Sequence, residues 1–81
     1  MRNIDKIKQY IRREFEYDGV NDPLDYITLV EIDNRFIELE KAGNSEYADI
    51  LKVGDFWVDD EVHGYVFRVE GNDINTVWSN S

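Results

Sequence analysis

The chain has 81 residues, 18 acidic side chains against nine basic ones and no cysteine, which leaves a formal net charge of −9 at pH 7. A length below the roughly 100 to 200 residues of a typical domain allows one domain over residues 1–81 and spares little sequence for catalytic machinery. With 42% apolar residues, five Gly and one Pro, collagen-like, disulfide-stapled and low-complexity architectures are excluded.

Ile4, Ile7, Ile11 and Phe15 recur at spacings of three and four, with Tyr10 beside them, which predicts an amphipathic helix capped by Asn3 and ended by Asp18-Gly19. Its remaining surface holds Arg2, Lys6, Lys8, Arg12 and Arg13. Farther on, Asp22-Pro23 is a helix-start signal and Thr28-x-x-Glu31 matches a capping box. Leu29, Ile32, Phe36 and Leu39 then keep a helical spacing up to a stop at Ala42-Gly43-Asn44, so a second helix is the favoured expectation. The alternative is a β-hairpin over residues 26–40 turning at Asp33-Asn34, because Tyr26 to Ile32 is rich in β-branched and aromatic residues; that hairpin would give a larger sheet. Ser45 to Leu51 reads as a short helix with Ser45 as its cap. Phe56 to Val58, Tyr65 to Glu70 and Ile74 to Trp78 read as strands punctuated by Gly64 and Gly71-Asn72-Asp73, and residues 79–81 as a frayed end. The expected fold is α+β, with N-terminal helices packed on one face of a C-terminal three-stranded antiparallel sheet.

Residues 1–16 carry a net +2 and residues 17–81 a net −11, so the acidity lies after the first helix. Asp59-Asp60-Glu61 is the densest group, at an expected hairpin tip, with Asp55 before it and Glu70 and Asp73 about the next turn. Turns lie at the surface, so these carboxylates are expected to be solvated and ionised. Neighbouring side chains on a helix or on paired strands lie about 5 to 6 Å apart, near the spacing of phosphates along a nucleic-acid strand, so a carboxylate row can stand in for a phosphate row. Asp55, Trp57, Asp59, Asp60, Glu61, Glu70 and Asp73 are therefore the candidate partner-binding residues. Trp57, Tyr65 and Trp78 are candidate aromatic anchors, although a domain this small first needs its strand aromatics for a core.

Catalytic chemistry finds no foothold. His63 is the only histidine, cysteine is absent, and no serine sits in a nucleophile motif, so no enzyme is expected. Asp59, Asp60, Glu61 and His63 match neither zinc spacing nor the calcium-loop pattern, and no phosphate-binding glycine loop occurs, so no metal and no cofactor are expected. Direct reading of nucleic acid is disfavoured by electrostatics: Ser45 to Lys52, the candidate recognition helix, carries Glu46 and Asp49 against Lys52 alone. Met1 to Lys6 opens no secretory signal, and Tyr26 to Val30 falls far short of the ~20 apolar residues that span a bilayer, which points to a cytoplasmic protein without membrane contact. The functional expectation is a small acidic protein that binds, and inhibits, a partner with a basic, nucleic-acid-binding type of surface. DNA mimics, phage-encoded (viral) inhibitors, antitoxins and immunity proteins act in this manner. The alternative is a self-associating structural or regulatory module, a homodimer for instance, whose acidity serves only solubility.

Overall fold

In the computed structural model, which describes residues 1–80, Asn3–Glu14 forms helix α1, Thr28–Glu31 strand β1 and Asn34–Ala42 helix α2, followed by strands β2 (Phe56–Asp59), β3 (Gly64–Glu70) and β4 (Asp73–Ser79). The strands make one antiparallel sheet in the order β1-β2-β3-β4. The fold is α+β, helices on an antiparallel sheet, with four strands where three were expected.

Helix α1 buries Ile7 and Ile11 completely, as their spacing requires. Asn3 is its first helical residue and not its cap; Arg2 precedes it and makes no side-chain capping bond. The helix stops at Glu14, ahead of Asp18-Gly19, because Phe15 leaves in an extended conformation that sets its ring edge-on to Tyr65 at 5.4 Å and to Phe67 at 6.2 Å. Asp18-Gly19 instead lies in a turn, with Gly19 at φ +76° and the Val20 N–H donating to the Tyr17 carbonyl at 3.1 Å.

The middle of the chain is neither one helix nor a hairpin. Thr28 to Glu31 extends and pairs with β2, and Asp33 then starts α2 by accepting the Phe36 N–H at 2.8 Å. Ile27, Thr28, Val30 and Ile32 are β-branched before that switch, whereas only Ile37 is among the residues of α2, so propensity changes where the cap stands. The apparent helical spacing crosses the break: Leu29 packs on one face of the sheet, Ile32 and Phe36 on the other, and Leu39 remains 60% exposed. Gly43 ends α2 within the expected stop. Ser45 caps no helix; its hydroxyl donates to the Glu40 carboxylate, and only the 3-10 turn Ala48–Ile50 forms beyond it. The end of β4 is tied down and not frayed, since the Asn80 N–H donates to the Gly64 carbonyl at 3.2 Å and its side-chain oxygen accepts the Gly64 N–H at 2.5 Å. Ser81, the last of the residues expected to fray, lies outside the described residues.

The helices cover both faces of the sheet, not one. Phe56, Val58 and Phe67 pack against Ile7 and Ile11 of α1. Val66 faces the opposite way onto Ile32 and Leu51, joined by Phe36 and Ile37 of α2 and by Tyr47, Trp57 and Trp78. Two central strands that bury side chains on both sides need two covers. Gly64 belongs to this second layer: a Cβ there would stand 2.6 Å from the Trp57 ring, so glycine lets the indole lie over the strand, stacked on Tyr47 at 5.1 Å.

Candidate functional site

Between β2 and β3 the chain reverses through Asp60 to His63, and one carboxylate organises the loop. Asp60 Oδ1 accepts the N–H groups of Val62 at 3.0 Å and His63 at 2.6 Å, and the Asp60 N–H donates to the His63 carbonyl at 3.0 Å. Its Oδ2 accepts the Tyr17 hydroxyl at 2.9 Å and lies 3.5 Å from His63 Nδ1. Asp59 accepts the Glu61 N–H at 2.7 Å, which supports Glu61 at φ +75°. Asp60 is only 5% exposed. Burial pushes its pKa up, but the His63 N–H, the Tyr17 hydroxyl and the Val62 N–H outweigh that and hold it below the usual carboxylate range. Burial and the neighbouring Asp60 push the Tyr17 phenol well above its ordinary value. Asp60 therefore locks the tip instead of presenting its charge to solvent.

The segment after α1 clasps this tip through Tyr17, whose ring meets Tyr26 at 4.5 Å. Tyr26 is 49% exposed and Val62 71% exposed, and together with Tyr17 and His63 they line one surface cleft. In the chain Asp18 follows Tyr17, Asp25 precedes Tyr26 and Glu61 precedes Val62, while Asp59 lies near enough to Tyr47 of the second core layer to add to burial and the Glu40 carboxylate in raising that phenol's pKa. None of these four carboxylates forms an ion pair among the described residues. Glu16 lines an adjoining cleft with Phe15 and Tyr65, of about 400 Å³. That volume is within the ~300 to 1,000 Å³ of small-molecule sites, but the cleft is open to solvent where such sites enclose their ligand.

The other sequence-derived candidates lie elsewhere. Asp55 is buried at 2% exposure, contrary to its expected solvation. Both its oxygens take Arg68 nitrogens at 2.9 Å, and it also accepts the Lys52 N–H at 2.9 Å. Arg68 donates further to the Ile50 carbonyl at 2.9 Å, and its hydrogen-bonded Asp55 holds its pKa above the ordinary value. Trp57 is taken up in the ring stack with Tyr47 and Trp78. Glu70 and Asp73 flank the β3–β4 turn, a strand length of roughly 20 Å from the tip. Glu70 there accepts the Asn75 amide at 2.9 Å. The fold thus brings Asp59, Asp60 and Glu61 together, with the Trp57 indole over neighbouring Gly64 but held in the ring stack, and separates them from Asp55, Glu70 and Asp73. The basic first helix does not neutralise the tip: Arg2 pairs with Asp5, Arg12 with Asp22 and Arg13 with Glu14, while Lys6 donates to the Gly71 carbonyl.

Tyr17, Tyr26 and Val62 did not stand out in the sequence. Val62 carried the one available signal, an aliphatic residue within a loop otherwise built of Asp60, Glu61 and His63. Among the described residues no group of three or more His, Asp and Glu side chains is arranged to hold a metal ion, and no helix is long and apolar enough to cross a membrane. No protein-family model, curated protein or solved structure matches the chain.

Proposed function

We propose that this chain is a non-enzymatic binding protein that docks the β2–β3 tip against a basic surface of a partner protein, acts in the cytoplasm and blocks the surface it covers. The reading rests on one observation: Tyr26 and Val62 form an exposed apolar centre, and Asp25 and Glu61 next to them in the chain, like Asp18 and Asp59, have no ion-pair partner among the described residues. Unpaired carboxylates steer a cationic surface into encounter, and desolvated apolar anchors slow its departure. A nuclease, polymerase or repressor presents such a surface to phosphates, so a DNA mimic or a phage-type inhibitor is the functional class that fits.

The test uses the partner retained from host lysate on immobilised protein and eluted by a salt step. Replacing Asp59 and Glu61 by Lys is expected to slow association by an order of magnitude or more at low salt, with a smaller effect at high salt. The same reversal at Glu31 and Glu38, away from the tip, should change the rate far less. Equal effects at both places would refute the tip as the docking surface, and retention that does not respond to salt would refute electrostatic recognition altogether.

A further inference from the structure

We propose that a cleft between helix α1 and the β3–β4 turn binds a small organic phosphate monoester. The inference is independent of the basic partner, since this turn lies a strand length away from the tip. Lys6, Gln9, Tyr10 and Arg13 stand at positions i, i+3, i+4 and i+7 of α1, which is one face of the helix. With Asn72 of the turn, Ile74 of β4 and Met1 they line about 290 Å³. Two of these side chains are cationic and none is acidic, in a chain of net charge −9. Asp73, between Asn72 and Ile74 in the chain, does not line the cleft.

The two cations are held in place with donors to spare. Lys6 is half-buried, and its Nζ donates to the Gly71 carbonyl at 2.7 Å; an ammonium has three donors, so two remain. Arg13 leans back over the Tyr10 ring, its guanidinium carbon 5.7 Å from the ring centre. Tyr10 stands in the turn of helix between Arg13 and Lys6, so both cations border one aromatic floor, itself fixed edge-on to Phe67 at 5.3 Å. Glu14 takes only Arg13 Nε, at 3.1 Å in an exposed pair, and leaves the two terminal nitrogens as a fork for phosphate.

Charge and size select the ligand. Lys6 and Arg13 together match a phosphate monoester, which carries about −1.5 to −2 at pH 7 on three acceptor oxygens. A monocarboxylate would leave one cation unanswered. At ~30 Å³ per water the cleft holds about ten water volumes, more than a bare phosphate ion fills, and Met1 and Ile74 wall the remainder with apolar surface. A polyanion would extend from the cleft over the surrounding carboxylates, whereas a small ligand meets chiefly the charges within the ~8 Å screening length of physiological salt. The cleft is also more enclosed than the one at Phe15 and Tyr65.

Titrating the isotope-labelled full chain with phenyl phosphate near neutral pH, with amide shifts followed by NMR, tests this. Saturable shifts centred on residues 6–13 and 71–74 are expected, with weaker binding of inorganic phosphate and none of phenol. Arg13→Gln should weaken binding about tenfold or more. Lys8→Gln, the same loss of charge on the same helix but outside the cleft, should leave it nearly unchanged. Asn72→Asp puts a carboxylate into the cleft from an exposed turn position; it should abolish binding, and it serves if the Arg13 variant disturbs α1. Shifts that do not saturate, equal losses from Arg13→Gln and Lys8→Gln, or succinate binding as tightly as phenyl phosphate would overturn the proposal. Tighter binding of a phosphotyrosine peptide would also overturn it, by giving the cleft to a protein partner.

Discussion

Asp55 and Asp60 are five residues apart and both lie at strand ends, yet each is drawn inward by a different kind of donor. Asp55 faces a guanidinium in fork geometry, and Asp60 faces N–H and O–H groups with only His63 as a neighbouring ionisable base. The Asp55–Arg68 pair is mostly enclosed, with 3% and 22% of the two side chains exposed, so removing one partner strands the other. Asp55→Ala is expected to cost about 3 to 5 kcal/mol in urea unfolding, whereas Asp55→Leu combined with Arg68→Met should recover most of that loss. A single variant within experimental error of wild type would show that the ion pair is not coupled to folding.

At the scale of elements, the contact between the Tyr17 segment and the hairpin tip carries a pH signature. Asp60 has its folded pKa lowered, so its contribution is complete above the unfolded value of about 3.9 and fades as pH falls through the lower folded value. Tyr17 has its folded pKa raised, so its contribution is complete below about pH 10 and fades as pH rises through the folded value. Between those limits the clasp holds at full strength. Tyr17→Phe keeps the ring and deletes the donor; it should lose about 1.5 kcal/mol at pH 7 and abolish the Tyr17 part of the alkaline decline. Denaturation followed by Trp57 and Trp78 fluorescence reads both, and an unchanged alkaline limb in the variant would contradict the assignment.

The same elements show how far a sequence can be read. Helix α1 was legible because its apolar period is undisturbed from Ile4 to Phe15, and strands β2 to β4 because short runs rich in β-branched and aromatic residues are punctuated by Gly64 and Gly71-Asn72-Asp73. The segment from Thr28 to Ala42 was not, because Leu29, Ile32, Phe36 and Leu39 keep helical spacing across a strand, a cap and a helix whose apolar residues face different layers. Asp33 was the deciding residue, and its two roles, hairpin turn or helix cap, have the same local signature. At the tip, the density of Asp59, Asp60 and Glu61 was visible, but which carboxylate turned inward depended on Tyr17, 43 residues away. Contacts at that separation leave no trace in local pattern, which is why Asp60 looked solvated.

For the whole molecule the governing number is −9 on a body measuring 37 × 28 × 18 Å. At about 0.01 M salt the screening length of ~30 Å spans most of that body, so carboxylates at both ends of the sheet repel one another; at ~0.15 M it shrinks to about 8 Å and only neighbours interact. The thermal midpoint in calorimetry is accordingly expected to rise by several degrees between those conditions. A midpoint that stays level or falls would mean that the native arrangement offsets its own repulsion.

With an interior on each broad side, the sheet has lost the surface by which many small β-rich proteins hold their ligands. Phe56 and Val58 are roofed by α1, while Val66 is closed over by Ile32, Leu51 and the rings around them. Contact with the sheet itself is thereby confined to its perimeter, at loops and lateral strands. Whatever grips the sheet must therefore do so end-on, where a protruding side chain such as Val62, 71% exposed, supplies the hold that a flat β face would give elsewhere.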